Sequence, residues 1–236
     1  MANLRKYYNE RVNSLKREDL LKQVGHSVNG KAISLKEFEG MTMDIKHFLN
    51  LSLQDDLLDL CCGNGVITRE FGESCHSVCG VDFSQELISI AKNNSCSKNE
   101  NFINCDVFEV HEHLCKNVKF SKVLMFGSLQ HFSPKCFSKL LGLIKSICEE
   151  EYTIFFGFVP DRNYKWKFYN TINKRALYIY RRLMKIDVMG TWWDKEYIKN
   201  VCEEMNLSCK FIHVSLGKYG YPYRFHFTVK KSNNSI

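Results

Sequence analysis

The chain has 236 residues, 44% hydrophobic, 13% aromatic and 25% charged, with only 13 glycines and 3 prolines. That composition excludes fibrous and disordered classes, and the length suits one domain around one sizeable core better than two. The formal net charge of +7 is concentrated between residues 162 and 185, where Arg162, Lys165, Lys167, Lys174, Arg175, Arg181, Arg182 and Lys185 occur without an acidic residue, so the basic character points to a site.

The segment from Met1 to Lys6 leads into polar sequence with no apolar core, and no long uncharged stretch follows. Neither a signal peptide, a transmembrane helix nor membrane insertion is expected. Residues 5–50 read as helical and polar, broken near Gly25 and Gly30. Ser34 and Glu37 have capping-box spacing and open a helix through Phe38, Met41, Ile45 and Phe48. At Leu57 the apolar period changes. Short apolar runs at 57–61, 77–81, 102–105, 122–126 and 152–158 alternate with helical stretches such as 85–92 and 136–148, the signature of βαβ units.

After Val159 and Pro160 comes the basic, aromatic segment, then a helix near 195–205. The runs 209–214 and 224–230 flank a turn rich in Gly and Tyr and predict an antiparallel hairpin at the end of the sheet. The expected division is a helical lid over 1–50, a cofactor-binding core over 51–160, an acceptor-recognition insert over 161–193, and a C-terminal helix and hairpin over 194–236.

Eleven cysteines is an odd count, no CxxC pair occurs, and Cys61, Cys62, Cys105 and Cys148 sit in apolar runs. Free cysteine packs as a small hydrophobe, which suits a reducing cytoplasm. Cys75, His76 and Cys79 lack a second half elsewhere, so no metal site is expected.

The sharpest motif is Leu57-Leu58-Asp59-Leu60-Cys61-Cys62-Gly63-Asn64-Gly65, which ends a strand and opens a helix. Glycines there let the backbone pass close to a ligand at the edge where open α/β sheets bind cofactors. A dinucleotide fingerprint needs a small residue, ideally glycine, where Thr68 stands. Gly80-Val81-Asp82, Asn104-Cys105-Asp106 and Gly127-Ser128-Leu129-Gln130-His131 end or follow the next three strands. Taken singly, Asp59, Asp82 and Asp106 also suit helix caps. Together these pieces resemble class I S-adenosylmethionine-dependent methyltransferases over residues 57–160.

That resemblance implies a Rossmann-like, doubly wound, mostly parallel seven-stranded α/β sheet. It also implies a cofactor site of Asp59, Cys61, Gly63, Asn64, Gly65, Asp82, Phe83, Asp106, Val107, Gly127 and Ser128. Asp82 would take the ribose hydroxyls and Asp106 the adenine amine; the product would be S-adenosylhomocysteine. The first glycine of the family's loop is Cys61 here.

The resemblance also implies in-line displacement of the sulfonium methyl by an acceptor nucleophile, so the protein aligns the acceptor and removes its proton. Phe126-Gly127-Ser128-Leu129 replaces the Asn/Asp-Pro-Pro-aromatic pattern of base and amide methylases. His131 is the leading candidate base, with a structural role over adenosine or at the helix after Ser133 as its alternative. His226 either approaches the acceptor pocket or lies on a polar outer face.

In the insert, Arg162, Tyr164, Lys165, Trp166 and Trp192 suit phosphates and sugar or base faces, unless the segment is an amphipathic helix with a solvated basic face. A second resemblance, to small methyltransferases of sugar, glycan and natural-product pathways, rests on residues 23–31, 190–193 and 221–225. It implies a mobile lid and acceptor contacts at His26, Tyr223 and Arg224. The expected activity is O-methylation of a small sugar-like or phosphorylated acceptor. The alternatives are an RNA methyltransferase using residues 162–185 and a non-catalytic cofactor-binding protein.

Overall fold

Leu57, Leu58 and Leu60 have no exposed surface, because the strand they form lies in the middle of the sheet. The computed structural model describes residues 2–115, 118–184 and 186–232. Lys185 and residues 233–236 of the polar tail lie outside the described residues. The strands are β1 (Asp56–Leu60), β2 (Ser77–Asp82), β3 (Glu100–Asn104), β4 (Phe120–Phe126), β5 (Cys148–Pro160), β6 (Leu207–His213) and β7 (Arg224–Lys231).

They form a seven-stranded sheet in the order β3-β2-β1-β4-β5-β7-β6. The first five strands are parallel, and β7 runs antiparallel between β5 and β6. This is the Rossmann-like, doubly wound sheet with an antiparallel C-terminal hairpin that the periodicity and motifs implied. The chain reverses its direction of winding between β1 and β4, which opens a crevice beyond their C-terminal ends.

Among the described residues six helices longer than two turns accompany the strands: α1 (Ala2–Ser14), α2 (Leu35–Leu49), α3 (Gln85–Asn93), α4 (Phe137–Ile147), α5 (Ile172–Leu183) and α6 (Lys195–Glu204). Strand alternation sends Leu58, Val123, Met125, Phe156 and Phe227 to one face, against residues of α4 and α6. Leu57, Leu124 and Phe155 point to the other face, against Ile45 and Leu49 of α2. The capping box that starts α2 is formed: the Glu37 N–H donates to Ser34 Oγ at 3.2 Å, and the Ser34 N–H donates to the Glu37 carboxylate at 2.8 Å.

Three boundaries differ from the sequence reading. Only the part before Ile33 covers the crevice, since α2 belongs to the sheet packing and Phe48 stacks on Phe155 at 5.9 Å. A run of 3-10 helix, Thr68–Ser74, replaces the helix expected after the glycine loop. Strand β1 stops before Cys61, whose φ of +61° is a left-handed backbone incompatible with a strand.

Candidate active site

Beyond the ends of β1, β2 and β4 lies a cleft of about 1240 Å³. Its walls come from these strand ends, from α1 and residues 24–29, and from residues 219–224 before β7. Asp82 anchors the cofactor-side wall. It is 5% exposed, and its carboxylate accepts the N–H of Gly63 at 3.0 Å and that of Ser84 at 2.9 Å. Burial pushes its pKa up to about 6, with those two hydrogen bonds opposing the shift.

Gly63 has φ of +60°, and a Cβ there would come within 2.6 Å of Val24 in the segment that covers the cleft. A side chain is therefore excluded twice over, by backbone and by contact. Asp59 accepts a 2.6 Å hydrogen bond from the Thr68 hydroxyl, and burial pushes it up to about 7. The Asp106 carboxylate accepts the Phe108 N–H at 3.0 Å and caps the short turn that follows. The capping reading and the cleft-lining reading of Asp106 hold together, because one oxygen caps while the residue stays on the wall.

Cys61, Phe83, Val107, Gly127 and Ser128 also line the cleft. Two residues of the expected cofactor set do not. The Asn64 amide donates to the Leu20 carbonyl and to Gln23 Oε1, both at 2.9 Å, so it ties the loop to the covering segment. Gly65 backs onto Phe102, where a Cβ would come within 2.9 Å of the ring. Both turn away because the loop reverses direction after Gly63.

On the opposite wall, His131 Nε2 lies 3.2 Å from Tyr8 Oη of α1, and burial with the Arg224 cation lowers its pKa to about 4. Its imidazole is neutral at physiological pH. Burial pushes the Tyr8 phenol upward, so Tyr8 keeps its proton. His26 is buried against Phe126, Phe158 and Tyr219, its Nδ1 has no hydrogen-bond partner, and burial with Arg224 lowers it to about 4 as well.

Arg224 lies with its guanidinium 4.5 Å from the Phe158 ring and donates to the Phe158 carbonyl at 2.8 Å and to Gln130. Among the described residues no carboxylate pairs with it. Phe158 itself has φ of +61°, and backbone strain of this kind tends to be retained where a site needs it.

His226 corrects both sequence readings. It stacks within 5.4 Å of Phe155 and 6.0 Å of Phe126, and its Nδ1 accepts the Phe158 N–H at 2.9 Å. It does not line the cleft. The reason is packing: His226 is buried under the layer that covers its face of the sheet, beside Phe126 and Phe155.

The insert divides. Tyr223 and Phe168 pack at 5.1 Å and both line the main cleft. Arg162, Lys165, Trp166 and Trp192 instead line a separate depression of about 470 Å³ with Tyr178 and Arg182. Lys165 lies 4.7 Å from the Trp166 ring and Arg162 pairs with Asp194 at 3.1 Å, whereas Tyr164 sits under Lys167 in neither cavity. Cys75 and Cys79 sit on opposite faces of the sheet, and His76 is engaged by Asp56 at 2.8 Å, so the three do not converge.

The sequence reading expected a helical lid over 1–50 but singled out none of the α1 side chains that reach the site. Arg5 lies 5.5 Å from the Phe83 ring, Tyr8 packs on the same ring at 6.5 Å, and Asn9 accepts a 2.9 Å hydrogen bond from Ser84. The signal available was Tyr7-Tyr8, an aromatic pair in an otherwise polar helix.

Residues 57–151 match the methyltransferase domain family. An uncharacterized methyltransferase of Schizosaccharomyces pombe is 46% identical over 52 residues, which are 22% of this chain and only 20% of that protein. The chain thus matches about a fifth of the length of its curated relative.

Magnesium protoporphyrin IX methyltransferase of Synechocystis PCC 6803 superimposes with a TM-score of 0.65 at 13% identity, over 97% of this chain and 98% of that one. The plantazolicin methyltransferase BamL gives 0.61 at 15% identity, over 96% and 97%. At such identities the structures speak for the fold, and the domain match speaks for residues 57–151 alone. Those residues are thus similar to a methyltransferase domain, carried on a fold shared with solved methyltransferases.

Proposed function

We propose that the protein transfers a methyl group from S-adenosylmethionine to a hydroxyl, or a phosphate-linked oxygen, of a small sugar-like or phosphorylated acceptor. The proposal extends to a place in glycan or natural-product biosynthesis. The observation that carries the acceptor class is Arg224: a cation in the cleft wall with no carboxylate partner among the described residues. A partly desolvated charge without a counter-ion favours a ligand that brings one, and a guanidinium fork matches phosphate or carboxylate.

The cofactor fits the other wall. Asp82 keeps free lone pairs beyond those used by Gly63 and Ser84, and Gly63 holds the left-handed backbone that turns the loop past this wall. Asp82 would take the ribose hydroxyls, and Asp106 the adenine amine, between Phe83 and Val107. When bound, S-adenosylmethionine supplies a methyl already activated by the sulfonium. The protein then has to exclude water, orient the acceptor and accept one proton. Helix α1 and residues 24–29 cover the cleft and exclude water. Arg224 orients the acceptor's anion. His131, neutral and held by Tyr8, accepts the hydroxyl proton.

Structural relatives named for a porphyrin and for plantazolicin agree with a small-molecule or peptide acceptor. RNA draws less support, because none of the basic side chains of residues 162–184 lines the main cleft; Arg162, Lys165 and Arg182 line the second depression instead. A reducing, cytoplasmic setting suits the eleven free thiols, several packed as core residues. Transfer of isotope-labelled methyl into fractionated cell extract tests the reading. Label in anionic small molecules or glycans is the expected result; label confined to RNA or protein would refute it.

A further inference from the structure

Helix α5 is turned inside out. Ile172, Ala176, Ile179 and Leu183 follow the spacing i, i+4, i+7, i+11, which aligns them on one stripe of a helix. A stripe of that kind normally faces a core. Here Ile172 is 84% exposed, Ile179 53% and Leu183 77%, with Tyr180, Met184 and Ile186 exposed beside them. No residue of the helix is buried.

What holds α5 to the body is its polar side. The Arg175 guanidinium donates to the Tyr169 carbonyl at 3.0 Å and lies 5.5 Å from the Trp166 ring. Tyr178 packs on Tyr169 at 4.6 Å, and Arg182 pairs with Asp187 at 3.9 Å.

The charge around this stripe selects its occupant. Residues 162–184 carry seven basic side chains and no acidic one. A second copy seated on the stripe would set this positive field against its own duplicate, which disfavours self-association. A nucleic acid would answer the charge but leave the Ile and Leu side chains unrewarded. An anionic bilayer answers both: the apolar stripe enters the acyl boundary while the net positive charge of residues 162–184 is drawn to the headgroup charge. Tyr180 on one flank and half-exposed Trp166 nearby are the amphipathic aromatics that settle at such an interface.

We propose that α5 is a membrane-docking helix that lies in the plane of an anionic lipid surface. It lies on the membrane and does not cross it: among the described residues no helix is long and apolar enough to span a bilayer. Phe168, Val188 and Met189, at either end of the segment bearing α5, line the main cleft, so the docking helix is joined at both ends to the cleft wall.

The test is sedimentation of the full chain with vesicles of phosphatidylcholine alone and of phosphatidylcholine with phosphatidylserine. Binding is expected to the anionic vesicles only, weakening as salt is raised. The double variant Ile179→Asp, Leu183→Asp is expected to bind roughly tenfold or more weakly. Both residues are exposed, so its thermal unfolding and its cofactor affinity should match those of the parent. Lys174→Glu is expected to weaken binding with the stripe intact. No binding to anionic vesicles at low salt would overturn the proposal and turn attention to an acidic protein partner. Full binding by the double variant would also overturn it, since charge alone would then suffice. Equal binding to uncharged vesicles would remove the electrostatic half of the argument and with it the choice of occupant.

Discussion

Asp82→Asn separates binding from folding at the cofactor wall. The substitution keeps the shape of the side chain and removes its charge. Hydrogen bonds from two ribose hydroxyls to a carboxylate are worth about 1.5–3 kcal/mol each. Neutral hydrogen bonds retain about 0.5–1.5 kcal/mol each, so losing the charge-assisted part of both, about 2–3 kcal/mol, predicts a rise in Kd of roughly 30–200-fold.

The effect on stability runs the other way. The carboxyl has a pKa of about 6 in the fold against 3.8 when free, so its ionised form is disfavoured by burial. That penalty is absent below about pH 4, grows between about 4 and 6, and above that reaches about 3 kcal/mol. Asparagine removes the penalty but leaves either the Gly63 or the Ser84 N–H without an acceptor, at about 1–3 kcal/mol. The ligand-free variant should therefore be as stable as the parent at neutral pH, or up to about 2 kcal/mol more stable. Its stability should lack the parent's decline as pH rises through that window.

Calorimetric titration with S-adenosylmethionine and S-adenosylhomocysteine, together with denaturant unfolding at acidic and neutral pH, measures both halves. Parent affinity should itself fall about tenfold per unit as pH drops below about 6, as Asp82 takes up its proton. An affinity for the variant within about threefold of the parent would refute the placement of the ribose at Asp82.

Three further substitutions probe the remaining parts. Cys61→Gly should raise stability by about 1 kcal/mol, because φ of +61° costs a side-chain-bearing residue roughly that much; a lower thermal midpoint would show that cysteine packing outweighs the backbone strain. His131→Ala should lower kcat by about 10²–10⁴-fold with little change in KM, and the parent's kcat, measured with the cofactor kept saturating at each pH, should stay flat from neutral pH down to about 5, because its imidazole is pushed down to about 4. An unchanged rate would remove His131 as the base. Arg224→Met should raise KM for an anionic acceptor by about tenfold or more while leaving cofactor Kd within about twofold; equal loss of both would make Arg224 a structural residue of the cleft.

Much of this molecule follows from neighbours along the chain. Leu57 to Leu60 reads as a strand because it opens a short apolar run after the helical period ends, with Asp59 its one polar residue. Ser34 and Glu37 close their box within four residues, and Gly63 and Asp82 announce a ligand edge because strand ends carry them. The comparable local signal in α5 was also visible as amphipathicity, but not which side would face out.

That choice belongs to the tertiary structure, as do the features that make the cleft a site. Tyr8 meets His131 across 123 residues, and Asn64 spends its amide on Leu20 and Gln23 instead of on a ligand. His226 is buried against the rings of Phe126 and Phe155, which neighbouring strands bring onto the same covered face. Arg224 acquires its functional meaning from the carboxylates that are not beside it. Hydrogen bonding and periodicity act over a few residues and are written locally. Burial, pairing and the absence of a counter-ion are properties of the assembled sheet, so only the fold could decide them.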